Sequence, residues 1–131
     1  MSNHLLISII DDDQPFRESM RRLIRSLGYS VAVFPSAADF LAFSRIRETS
    51  CLITDVQMPA MTGVQLHRHL IEAGYAIPTI LITAHPSEVE RVRAMKDGVL
   101  CYLRKPVDAQ ILSGCLQAAA LTFTERPKDD S

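Results

Sequence analysis

The sequence has little of what marks a secreted, membrane-bound or nucleic-acid-binding chain. Its 14 Lys and Arg against 15 Asp and Glu leave a net charge of −1, which offers no footprint to nucleic acid or to an anionic membrane. No apolar run approaches the ~20 residues that a membrane-spanning helix needs. The opening MSNHLL lacks the charged, apolar and small-residue regions of a secretory signal. Three cysteines, Cys51, Cys101 and Cys115, form an odd set without a CxxC pair, which speaks against a disulfide framework or a zinc site. They are expected to be buried, reduced thiols. The expectation is a cytoplasmic protein with no membrane contact and no direct binding of nucleic acid. There is also no internal repeat, low-complexity stretch or interdomain linker.

What is present suits one globular domain. The 131 residues are 47% hydrophobic and 22% charged, enough for a core with two faces. Short apolar runs alternate with helical patterns. The runs 5–10 (LLISII), 30–34 (SVAVF), 51–54 (CLIT), 79–83 (TILIT) and 100–104 (LCYLR) read as strands of a parallel sheet covered on both sides. Residues 14–27 put Phe16, Met20, Leu23, Ile24 and Leu27 on one helical face, closed by Gly28. Ser36 reads as the cap of a second helix carrying Phe40, Leu41 and Phe43. A third helix is expected from Gly63 to Ala73, with Leu66, Leu70 and Ile71 inward. A fourth starts at Pro86 and has a thin apolar stripe of Val89, Val92 and Met95. A fifth spans 108–121, with Ile111, Leu112, Cys115, Leu116 and Ala119 aligned. The domain is expected over 1–121, with 122–131 a polar tail or the start of a linker; TERPKDDS at the end reads as frayed.

Five strand–helix units in succession mean an α/β fold with an open, doubly wound sheet. The flavodoxin-like order 2-1-3-4-5 places the ligand crevice beyond the carboxyl ends of strands one and three. Asp11 and Asp12 end the first strand and Asp55 ends the third, so three carboxylates converge there. Held together they repel and raise one another's pKa unless a cation neutralises them, and a hard divalent ion, Mg²⁺ above all, suits oxygen ligands. Asp13 fits the first helix's N-terminus instead. Thr83 at the end of strand four and Lys105 after strand five add a hydroxyl and an ammonium to the same edge. Carboxylates with a metal, a hydroxyl and a lysine are suited to holding a phosphoryl group. His4, His67 and His69 share no ligand spacing and read as surface residues. Pro59 and Gly63 punctuate the loop after strand three, and Gly63 would let the third helix begin close to the site.

The set Asp11-Asp12, "DVQMPAMTG" beginning at Asp55, "ITA" ending at Ala84 and "RKP" ending at Pro106 resembles the receiver domain of two-component response regulators over about residues 4–121. "PSAADFLAF" and "VRAMKDG" look most like its FixJ-type branch. The resemblance implies that Asp55 accepts a phosphoryl group from a sensor histidine kinase. It implies that Asp12, Asp55 and the backbone carbonyl of Gln57 ligate Mg²⁺, with Asp11 close by through water. Lys105 would pair with the phosphoryl group, its bond to Pro106 being cis. Thr83 and Tyr102 would form a switch pair that alters the helix 4–strand 5 face and favours a homodimer on phosphorylation. Regulators of this branch carry a helix-turn-helix effector domain, which nothing in these residues resembles. The chain departs from the branch at His85-Pro86, where His-Gly is usual; proline there stiffens the approach to helix four.

Two other functions compete. A haloacid-dehalogenase-like phosphatase also has DxD after its first strand, which Asp11-x-Asp13 could supply. That family expects Thr or Val where this chain has Pro15, and a late acidic pair for the metal. A pseudo-receiver acting only as a binding module would not need the full acidic set and Lys105.

Overall fold

Each apolar run becomes a strand of one parallel sheet. In the computed structural model, which describes residues 5–125, the strands are β1 (Leu6–Ile10), β2 (Ser30–Phe34), β3 (Thr49–Asp55), β4 (Thr79–Thr83) and β5 (Cys101–Arg104). They alternate with α1 (Gln14–Ser26), α2 (Ala37–Leu41), α3 (Gly63–Glu72), α4 (Glu88–Lys96) and α5 (Ala109–Glu125). The order is β2-β1-β3-β4-β5, as the alternating pattern predicts. No helix among the described residues is long and apolar enough to cross a membrane.

The continuous apolar runs are explained by burial on both sides: every residue of β1, β3 and β4 is buried. Alternate side chains then feed two layers. Ile7, Ile9, Cys51, Ile53, Ile80 and Ile82 pack against α1 and α5. Ile10 and Leu52 face Phe40 of α2 and Leu66 and Leu70 of α3, while Leu81 meets Ala94 and Val99 near α4. Each fully buried Ile or Leu contributes roughly 1.5–3 kcal/mol, so this double layer fixes the strand ends that carry the acidic residues.

The differences from the sequence reading have local causes. β3 begins at Thr49, ahead of the apolar run, because buried hydroxyls find partners: Thr49 and Ser8 are 2.8 Å apart and the Ser50 hydroxyl accepts from Leu6 N. The helix expected to start at Pro86 starts at Glu88, since Ser87 takes the cap by accepting from Glu90 N. α2 stops at Leu41, leaving Phe43 beyond the helix, where its ring meets Phe34 at 4.9 Å. α5 starts after Asp108, whose carboxylate accepts from Gln110 N and Ile111 N, and runs on to Glu125. Residues 126–131 of the expected tail, and His4, lie outside the described residues.

Several side chains face the other way from the expectation. Ile71 and Ile111 are exposed; each neighbours a buried leucine and so points about 100° away from it around the helix axis. Leu27, placed on the inner face of the first helix, is also exposed at that helix's end. Val89, Val92 and Met95 are exposed too, Val89 to 71%, and Ala94 is the one residue of α4 that is buried. His67, expected at the surface, is buried. Burial pulls its pKa down, opposed in part by Asp97. The thiols are free, but Cys101 is only half-buried.

Candidate functional site

Strand geometry brings the acidic residues together. Ile10 pairs with Thr54 in the β1–β3 register, so the residues that follow, Asp11 and Asp55, leave adjacent strands side by side. Oxygens of Asp11, Asp12 and Asp55 all lie within 4.8 Å of one another. Asp11 is 1% exposed and Asp55 8% exposed. Burial, followed by the Asp11 carboxylate, holds the Asp55 pKa above its ordinary value, with Lys105 opposing. Such a set suits a hard cation with oxygen ligands.

The carboxylates are not equivalent. Asp11 uses both oxygens: Oδ1 accepts from Asp13 N at 2.9 Å and Oδ2 from Lys105 Nζ at 2.9 Å. Its backbone carbonyl accepts from Arg17 at 2.6 Å. Asp12 is exposed, with its carboxylate open to a metal from the solvent side. Asp55 receives only a long contact from Gln57 N, 3.4 Å, and lies 3.7 Å from the Lys105 ammonium. Of the two buried carboxylates, Asp55 is less committed to protein partners than Asp11. Asp13 caps α1 by its backbone, without a side-chain cap bond.

Lys105 closes the site from β5. The peptide bond to Pro106 is cis, as the resemblance implied, and Lys105 N donates to the Thr83 carbonyl at 2.9 Å. The ammonium lies 4.1 Å from the centre of the Phe16 ring, a cation–π contact. Burial alone would lower its pKa, but Asp11, Asp55 and Asp13 outweigh that and raise it, so the ammonium stays charged.

Thr83, fully buried, ends β4, and its hydroxyl accepts from His85 N at 3.0 Å. Tyr102 of β5 is half-buried, with its hydroxyl outward: it accepts from Ser87 N at 3.1 Å and donates to Glu90 Oε1 at 2.6 Å. The structure therefore brings Asp11, Asp12, Asp55 and Lys105 to one edge, while the Tyr102 hydroxyl turns to the start of α4. The sequence reading left three side chains aside. It missed Phe16, read as core; Arg17; and Glu90, read as one of several solvated charges. Only the spacing of Glu90 from the Ser87 cap could have flagged it.

Gly63 carries a requirement of its own. Its N–H donates to Val56 O, and a Cβ built on it would run into the Asp55 carbonyl oxygen and the Thr54 methyl. α3 thus starts as close to the Asp55 backbone as atoms allow. Gly63→Ala is expected to cost about 1–3 kcal/mol of stability through overpacking, read by urea denaturation.

Comparisons with known proteins agree with this geometry. Residues 7–117 match the response regulator receiver domain family. The chain is 40% identical over 114 residues to the response regulator protein TodT of Pseudomonas putida, covering 87% of this chain and 50% of TodT. It is 34% identical over 127 residues to the transcriptional regulatory protein FixJ of Rhizobium meliloti, covering 95% and 62%. It therefore spans only half to three-fifths of the length of these relatives. Among solved structures, FixJ-N superposes with a TM-score of 0.83 at 32% identity, covering 98% of this chain and 99% of that one. A receiver domain from Clostridium thermocellum gives 0.86 at 28% identity, covering 92% and 97%. With the acidic crevice, the strand order and a family match that spans the sheet from β1 into α5, this chain belongs to the response regulator receiver domains of two-component signalling.

Proposed function

We propose that Asp55 takes a phosphoryl group from the phosphohistidine of a sensor histidine kinase, and that the resulting acyl phosphate switches the α4–β5 face. The observation that carries this reading is the arrangement around Asp55: a buried carboxylate, less engaged than Asp11, 3.7 Å from an ammonium that is already bonded to Asp11. An Asp55 oxygen attacks phosphorus, the phosphorus–nitrogen bond breaks, and the imidazole leaves. Lys105 moves from its bond with Asp11 to the incoming phosphoryl oxygens, and the Thr83 hydroxyl donates to them. Asp12, Asp55 and the Gln57 carbonyl would hold Mg²⁺, with Asp11 in contact through water. When bound, the ion supplies positive charge to the phosphoryl oxygens. The domain is a phosphoacceptor rather than a turnover enzyme, with at most slow loss of its own phosphoryl group.

The output follows from α4. Its apolar side chains Val89, Val92 and Met95 stand outward, and Tyr102 is bonded to its first turn through Ser87 N and Glu90. Drawing Thr83 toward the phosphoryl group frees space for Tyr102 and reshapes this surface, which we propose as the contact of a weak homodimer. The receiver unit is assigned to 1–121 and the segment 122–131, into which α5 continues as far as Glu125, to a tail or linker. Control of transcription, through an effector domain outside these residues and in the cytoplasm, completes the reading; this domain itself does not touch DNA.

Phosphoramidate with Mg²⁺ is expected to add one phosphoryl group per chain by intact mass, with no labelling in EDTA. Beryllofluoride with Mg²⁺ is expected to raise the sedimenting mass toward a dimer at high concentration. Continuous release of phosphate from an aryl phosphate would favour the phosphatase instead. Bound beryllofluoride on a persistent monomer would overturn the dimer alone.

A further inference from the structure

α4 is held at its two ends by different means. At its C-terminal end the buried Ala94 touches the sheet, and Asp97, just past the helix, is bridged to Arg68 of α3 at 2.9 Å. At its N-terminal end no large side chain is buried, since Val89 is exposed and Glu90 only half-covered. What fastens that end is Tyr102. Its hydroxyl uses one lone pair to accept from Ser87 N, the cap residue of α4, and gives its proton to the Glu90 carboxylate one turn further on. Glu90 N in turn donates to the Ser87 hydroxyl. Two residues before the cap, His85 N is held by the Thr83 hydroxyl, so the β4–α4 loop is tied at one end to Thr83 and at the other to Tyr102.

We propose that Glu90 is a latch on the resting state: its carboxylate, by accepting the Tyr102 hydroxyl proton, holds the ring outward and the first turn of α4 in place. This rests on the phosphoacceptor reading above and names the positioning residue that sets how readily that switch turns. Inward rotation of Tyr102 must break the bonds to both Glu90 and Ser87. The resting state alone has these contacts, and a contact present in one state only biases the equilibrium toward it. Burial raises the Tyr102 pKa, and the bond to Glu90 adds to the rise, so at neutral pH the phenol remains the donor. The other charges at this end are committed elsewhere: Glu88 pairs with Arg91. Arg93 and Lys96 line the outer face with Val89 and Val92.

The test is a double-substitution cycle on the affinity for beryllofluoride with Mg²⁺, followed by fluorine NMR, with thermal unfolding to confirm that each variant folds. Glu90→Ala is expected to tighten binding about three- to tenfold, the range for a charged hydrogen bond that is partly exposed to water. Glu90→Gln keeps an acceptor and removes the charge, so it should tighten binding less. In a Tyr102→Phe background Glu90→Ala should change nothing, because the bond is already gone. A plain electrostatic effect of Glu90 on an anionic ligand would instead persist in that background and would overturn the latch. So would wild-type binding that Glu90→Ala leaves unchanged or weakens. A wild-type domain that fails to bind beryllofluoride at all would overturn the phosphoacceptor reading, and the latch with it.

Discussion

Asp55→Asn is expected to reduce labelling by phosphoramidate to background while making the metal-free domain more resistant to heat. The two outcomes have one cause. Asp55 is buried beside Asp11, and its pKa is raised by burial first and by that carboxylate second, with Lys105 recovering only part of the loss. A carboxyl whose folded pKa is raised costs stability once it ionises. The cost is absent well below the ordinary carboxylate range, grows as pH rises through the folded pKa, and is complete above it. At neutral pH without a divalent ion the native domain carries that cost, and the uncharged amide does not. Mass spectrometry and thermal unfolding in EDTA on the same preparation read both effects. Loss of labelling with a higher midpoint excludes misfolding as the reason. Labelling of the Asn variant at the wild-type rate would put the nucleophile elsewhere.

The second large effect concerns the metal. Asp11 already spends its oxygens on Asp13 N and Lys105, so the proposed ligand set puts direct ligation on Asp12 and Asp55. Asp12→Ala is therefore expected to weaken Mg²⁺ binding to the unphosphorylated domain at least about tenfold, or 1.4 kcal/mol, while the fold survives, because this side chain is exposed. Calorimetric titration measures it. Unchanged affinity would remove Asp12 from the ligand set. Phosphoramidate labelling should fall in parallel, since the phosphoryl group would lose the ion's positive charge.

The sheet was legible because its three inner strands are buried on both faces, which leaves an unbroken apolar signature in TILIT and LISII. The acidic edge was legible because it follows from strand order: once β1 and β3 are neighbours, Asp11 and Asp55 must meet. The helix α4 was legible but its inward face was not, and the reason is physical. Val89, Val92 and Met95 have helical spacing, yet the one residue of the helix that is buried is the small Ala94, and the larger apolar groups turn out. A sequence shows periodicity but not which of two candidate faces meets the core. Glu90 was hidden for a related reason. It sits among Glu88, Arg91 and Arg93 as one charge in a solvated row, and only the position of Tyr102 on β5 distinguishes it. Likewise Ile71 and Ile111 look like core residues until a neighbouring leucine occupies the inward position. His67 has the converse history, a polar residue drawn inward on α3.

The bond between Lys105 and Asp11 spans 94 positions of the chain, and it carries a consequence for the timing of synthesis. β1 is an interior strand and pairs with β2 and β3, so the acidic residues can gather once the first half of the chain has folded. The ammonium that pairs with them arrives only with β5, the last strand of the sheet. Contacts this far apart in sequence close late. A nascent chain therefore has a charged, unneutralised acidic edge before it has a working acceptor. On the proposed phosphoacceptor reading, small phosphodonors and kinases should find it inert until the last strand has docked, so that the receiver cannot be switched on before its own sheet is complete.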